Sequence, residues 1–105
     1  ELNYKKELLK WKNANEKNVL EALEKAEEIL QQIEEKDWNA NNLKEVLVKE
    51  AERFSEVGDR GYFLWPIRVA LTGKEASCPP FEIAEILGKE KTLERIRKAK
   101  NLLQV

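Results

Sequence analysis

Every glycine and every proline of this 105-residue chain falls between Gly58 and Gly88. The residues on either side of that window carry nothing that breaks a helix by its own backbone chemistry. Such a chain can run unbroken helices into and out of a punctuated centre. It has little means of building a sheet, because no useful stretch alternates apolar with polar residues. The window also holds the single cysteine, Cys78, and four of the eight aromatic residues. If the chain has a site, it is expected here.

Apolar residues recur at helical spacing on both flanks. Leu2, Leu8, Leu9 and Trp11 predict a short amphipathic helix over 2–12, broken at Asn13–Asn15. Val19, Leu20, Leu23, Ala26, Ile29, Leu30 and Ile33 predict a helix over 16–35, with Glu21 and Lys25 as an i, i+4 pair. Asn39 suits an N-cap, and Trp38 a staple packing near Leu43, for a helix over 40–56 that Gly58 would end. Gly61 permits the next turn. Pro66 suits the first turn of a short buried helix that stops at Gly73. Ser77 can cap a helix whose first turn Pro79 and Pro80 fix, and Gly88 separates it from a last helix over about 89–103. The fold class read from these spacings is all-α: one domain over 1–105, a small bundle of five or six short helices.

Composition removes several chemistries. With no histidine, the chain alone can build no His-ligated metal site, Ser-His-Asp triad or Cys-His pair. One cysteine allows no internal disulfide, as in proteins of a reducing compartment. No run approaches the length of apolar sequence needed to cross a bilayer. The start Glu-Leu-Asn, with no initiator Met and no basic leader, argues against a signal peptide and suggests a fragment. Neighbouring carboxylates such as Glu27 with Glu28 and Glu34 with Glu35 fall on faces expected to be solvated, without the burial an acid–base pair needs.

Charge is unevenly spread. Residues 1–59 carry 15 acidic and 10 basic side chains, residues 60–105 carry 5 and 9, and the net charge is −1. A basic half can turn a cationic face toward a polyanion, or it can be ordinary solvated surface. Lys89, Lys91, Arg95, Lys98 and Lys100 are expected to lie mostly outward. Arg68 is the only charged residue in the predicted 66–72 helix. It must find a partner, either an acidic group of the 40–56 helix or a ligand. Tyr62, Phe63, Trp65 and Phe81 supply rings that can stack unpaired bases, or simply fill a core.

Two runs in the window carry a family pattern: FLWPIRVALTG, and SCPPFEIAEILGKEKTLERIRKA after a short loop. The pattern comprises Pro66, Arg68, Ala70, Leu71, Thr72, Gly73, Ser77, Phe81, Glu82, Leu87, Gly88, Lys89, Glu90 and Arg95. Upstream, DWNANNLKEVL looks like the Asp-Trp helix opening of the same family. Over 37–100 the chain closely resembles the carboxy-terminal end of bacterial-type glutamyl-tRNA synthetases. Residues 1–36 match only in general helical character.

The resemblance implies an anticodon-binding module of a glutamate–tRNA ligase, not a catalytic unit. That family activates glutamate with ATP and Mg²⁺ in a separate domain whose signature motifs need His and Met, both absent here. No cofactor and no metal is therefore expected on this chain. Its expected partners are the anticodon loop of tRNA(Glu) and the rest of the parent synthetase, in the cytoplasm, with neither DNA nor a membrane. By position, the family's base-contacting Arg falls on Arg68, and its loop contacts fall on Ser77, Cys78 and Pro80. Lys74, Arg95 and Lys98 are candidate phosphate contacts. The run Cys-Pro-Pro departs from the usual loop and removes two backbone donors, so side chains and carbonyls must carry more of any recognition. The alternative is a helical bundle that serves structure or protein contacts and no longer binds tRNA.

Overall fold

The computed structural model describes residues 3–74 and 78–104. It contains α1 (Glu16–Gln31), α2 (Ala40–Phe54), α3 (Gly61–Thr72), α4 (Pro80–Leu87) and α5 (Lys89–Leu103), with single 3-10 turns at Lys6–Leu9 and Glu35–Asp37. No strand occurs among the described residues. The all-α expectation holds.

α3 is the central element. It packs against α1, α2, α4, α5 and the first 3-10 turn. Phe63, Pro66, Ile67, Val69, Ala70 and Leu71 are buried along it. Burying each large one of these stabilises the fold by about 1.5–3 kcal/mol. Its remaining face is a stripe of half-buried residues, Gly61, Leu64, Trp65, Arg68 and Thr72, at the spacing of one helix side.

Pro66 lies inside α3, not in its first turn, and α3 begins five residues earlier than the proline suggested. Pro66 has no N–H to give the Tyr62 carbonyl, which in an isolated helix would cost about 3 kcal/mol. Tertiary contacts outweigh that cost. Phe63 is fully buried against the Phe54 ring at 5.3 Å, and Trp65 donates its indole N–H to the Leu8 carbonyl at 2.9 Å.

Residues 2–12 form only a 3-10 turn at Lys6–Leu9. The Leu8 carbonyl accepts the Trp65 indole N–H, and Lys12 turns into the left-handed region at φ 53°. So short a segment has no helical stability of its own to oppose this. Leu2 lies outside the described residues.

Two other boundaries differ from the periodicity. α1 stops at Gln31 because the Lys89 ammonium donates to the Gln31 and Ile33 carbonyls at 2.9 and 2.7 Å, ending the ladder from outside. α2 stops at Phe54 because the Ser55 hydroxyl accepts the Val57 N–H, a local turn that competes with the helix. Gly58 does adopt a left-handed conformation, φ 76°, but within that turn and not at the helix cap. Lys25 pairs with Glu28, not with Glu21. The caps at Asn39 and Gly73 are as expected. Asn39 Oδ1 accepts the Asn42 N–H at 2.9 Å, and Gly73 closes α3 at φ 71°.

Gly61 has a role other than turning the chain. A Cβ there would sit 2.2–2.7 Å from the Trp11 indole. Trp11 is wedged between Gly61 and Trp65, its ring 5.1 Å from that of Trp65. Gly61→Ala must therefore displace a ring that has a second ring behind it. We expect a loss of about 1–3 kcal/mol, the usual cost of overpacking, despite the helix propensity gained. Urea unfolding measures it. A Trp11→Phe background, with a smaller ring, should reduce the loss; a variant as stable as wild type would refute the steric account.

The start of α3 is held by Asp59. Its carboxylate receives the Lys12 ammonium and, at 2.9 Å, the Gly61 N–H, where the helix dipole also favours a negative charge. The Trp11 indole nitrogen lies beside it, close enough to favour the charge but outside hydrogen-bond geometry, and is the one buried side-chain polar atom without a partner among the described residues. The Lys12 ammonium, then the Gly61 N–H, bring the Asp59 pKa down to about 2. A lowered carboxylate pKa contributes stability above the unfolded value and loses it as pH falls through the folded one. Stability should therefore decline as pH falls from about 4 toward about 2. Asp59→Asn should flatten that part of the pH–stability curve, and an unchanged curve would show that Asp59 is not responsible.

Candidate functional site

The residues singled out from sequence fall in two places. The first is the end of α3 and the start of α4. Arg68 lies on the half-buried stripe of α3, one turn beyond Leu64 and Trp65. Among the described residues its guanidinium has neither an ion pair nor a hydrogen bond, so of the two alternatives the salt bridge to the 40–56 helix does not form. One turn on, the Thr72 hydroxyl donates to the Arg68 carbonyl at 2.8 Å and accepts the Lys74 N–H at 3.1 Å. That arrangement turns the backbone out of the helix with Lys74 exposed. The chain returns at Cys78 and Pro79, both exposed, and at Pro80, which is buried as the first residue of α4. Pro80 therefore sets the start of the helix and offers no open face. Ser77, with its expected capping role, lies outside the described residues.

The rings nearby are committed elsewhere. Phe63 is in the core, Tyr62 donates its hydroxyl proton to Asn13 Oδ1, Trp65 donates to the Leu8 carbonyl, and Phe81 packs half-buried against the core. They support the site and form no bare stacking platform.

The second place is a cleft of about 330 Å³ lined by Asn3, Tyr4, Ala70, Lys91, Glu94, Arg95, Lys98 and Leu102. It brings together Arg95 and Lys98. Burial pushes the Tyr4 hydroxyl pKa up, so it stays a neutral donor. Arg95 is half-buried and donates to the Leu71 carbonyl at the end of α3, which leaves further guanidinium N–H groups for the cleft.

The picture of α5 as an outward basic helix needs correction. Lys89, Arg95 and Lys100 are half-buried, and each has an internal partner. Lys91 pairs with Glu94 at 3.2 Å. Arg97 and Lys100 both reach Glu27 of α1 at 2.6 Å. Glu27 is thus no solvated carboxylate. Burial pushes its pKa up, but the hydrogen bonds from Lys100 and Arg97 outweigh that and hold it below the usual range. No periodicity could have shown this, since it depends on α1 and α5 lying side by side. We expect Glu27→Gln to lower stability by about 1–2 kcal/mol near neutral pH, the scale of charged hydrogen bonds. The difference from wild type should shrink in acid as Glu27 itself protonates. Denaturant titrations at two pH values test this, and a pH-independent difference would contradict it.

Among the described residues no group of three or more Cys, Asp or Glu side chains is arranged to hold a metal ion, and no helix is long and apolar enough to cross a membrane.

Residues 1–100 match the family described as "Anticodon binding domain". The chain is 46% identical over 88 residues to the glutamate–tRNA ligase of Clostridium botulinum (strain Loch Maree / Type A3), covering 79% of this chain and 17% of that protein. It is 44% identical over 87 residues to the ligase of Clostridium tetani (strain Massachusetts / E88), covering 79% and 16%. It is 46% identical over 88 residues to that of Clostridium novyi (strain NT), covering 79% and 16%. The chain thus spans about a sixth of the length of the curated relatives it matches. No solved structure gives a significant match.

Proposed function

The chain belongs to the anticodon-binding domain family, and on that premise we propose that it is the module by which a glutamate–tRNA ligase holds the anticodon loop of tRNA(Glu). The observation that carries the reading is Arg68: a half-buried residue whose guanidinium has no acidic partner among the described residues, on the outer stripe of α3. An arginine so placed packs its stem against the helix and leaves its charged head to solvent or to a ligand. An unstacked RNA base presents acceptor edges that the planar guanidinium fork can meet in pairs. Thr72 stiffens the backbone just beyond it, so the side chain leaves a fixed platform.

Lys74 and Cys78, with Ser77 between them in sequence, supply the remaining loop contacts in this reading. Arg95 and Lys98, across the cleft, serve phosphate groups. Because the α5 cations, Arg95 and Lys98 among them, already have partners within the chain, the phosphate contribution is modest and the base contact weighs more. The ligase reaction, with its ATP and Mg²⁺, belongs to other parts of a longer protein. This chain holds neither, and the protein works in the cytoplasm.

The test is a titration of tRNA(Glu) with the full-length protein carrying this chain, wild type and Arg68→Ala, at two salt concentrations. Arg68→Ala should cost about 1–3 kcal/mol, the range for a base-reading arginine, with little change in salt slope. Unchanged affinity would remove Arg68 from the reading. Absence of tRNA binding by wild type would favour a bundle that serves structure or protein contacts.

A further inference from the structure

α4 is only eight residues long, about 12 Å, with the exposed Cys78 and Pro79 just ahead of its first turn. Its second turn is held by one corner of the molecule, the three residues Trp38–Ala40. The Trp38 indole N–H donates to the Ala84 carbonyl at 2.8 Å. The same carbonyl accepts the Gly88 N–H at 2.9 Å and lies 3.3 Å from the Thr92 hydroxyl. On the next residue, the Glu85 carboxylate accepts the Ala40 N–H at 3.1 Å. That N–H is one of the donors the first turn of α2 leaves without a helical partner, and the helix dipole favours a carboxylate there. The corner itself is braced, since Asn39 Oδ1 accepts the Asn42 N–H and the Asn42 side-chain amide donates to the Asp37 carbonyl, both at 2.9 Å.

Two consecutive residues of α4 are thus gripped from a single braced point. The fold keeps other means of meeting the same needs. Without Trp38 the Ala84 carbonyl retains Gly88 and Thr92, and without Glu85 the start of α2 retains its Asn39 cap. What neither substitute provides is a fixed direction for α4. The first turn of α4 rests on the core through Pro80 and Phe81, so a small tilt of the second turn pivots the helix there and re-aims the exposed Cys78 and Pro79. Recognition sites lose function when their support is loose by about an ångström.

We propose that Trp38 and Glu85 are positioning residues that set Cys78 and Pro79, at the entry to α4, for RNA recognition. The proposal rests on the anticodon-binding reading and extends it to a corner some forty residues away in sequence, as the separations of 46 and 45 residues in these bonds show.

The experiment uses the full-length protein and a synthetic anticodon stem-loop of glutamate tRNA, with copies substituted at one anticodon base each. Trp38→Phe keeps a ring and removes the donor. It should weaken binding about fivefold, the factor for one net hydrogen bond, and should bring the affinities of matched and substituted loops closer together. The salt slope should stay as in wild type, because no phosphate contact is lost. Glu85→Ala should behave alike, while Glu85→Gln, which keeps an acceptor oxygen, should restore most of the discrimination. A lower melting temperature with discrimination intact would make the clasp merely structural and overturn the proposal, as would a Trp38→Phe protein indistinguishable from wild type. The Arg68→Ala result separates the two readings. If Arg68→Ala binds like wild type while Trp38→Phe loses discrimination, the role of Arg68 falls and the clasp stands. If Arg68→Ala is weakened and Trp38→Phe is not, the clasp falls alone.

Discussion

The structure depends on α3 being touched on nearly every side. A twelve-residue helix with a proline in its middle has no independent stability, and it persists because four helices and the amino-terminal turn enclose it. The tightest of these contacts is Trp11 against Gly61, where even a methyl group finds no room. That contact, with the Trp65 bond to Leu8 and the Asp59 carboxylate between Lys12 and the first turn, ties the start of the chain to its centre. Arg68 is left at the far, uncovered half of the same helix face. The covering of one half and the exposure of the other come from one arrangement.

Charge in this molecule works mainly inward. α5 reads as a basic helix, yet its cations close the end of α1, hold the last carbonyls of α3 and grip Glu27. These are bonds to partly buried oxygens, where an ammonium or guanidinium is worth more than in a solvated pair. A surface whose positive charge is bound internally attracts a polyanion less than its composition suggests. Specific contacts such as Arg68 then carry a larger share.

The fold class, the helix order and the caps at Asn39 and Gly73 were legible in the sequence. Both residues act through local chemistry that works wherever the residue stands. The boundaries that misled are those where a distant group intervenes. Lys89 ends α1, the Trp65 indole bonds to the Leu8 carbonyl, and burial carries α3 back past Pro66 to Gly61. The candidate site divides in the same way. Arg68 could be found from the window of glycine, proline and aromatic residues and from a family pattern. The Trp38–Ala84 and Ala40–Glu85 bonds, and the cleft that Tyr4 shares with Arg95, had no signal in spacing.

The sequence by itself determined that this chain is helical, where its helices are capped, and that its one break-rich window holds the residues worth testing. Those properties follow from period, propensity and turn chemistry, which act over a few residues. Only the tertiary structure decided which charged residues are committed and which remain open, why Gly61 must be glycine, and what fixes α4. Those depend on residues 24 to 73 positions apart meeting across packed helices, and no short-range pattern encodes such meetings.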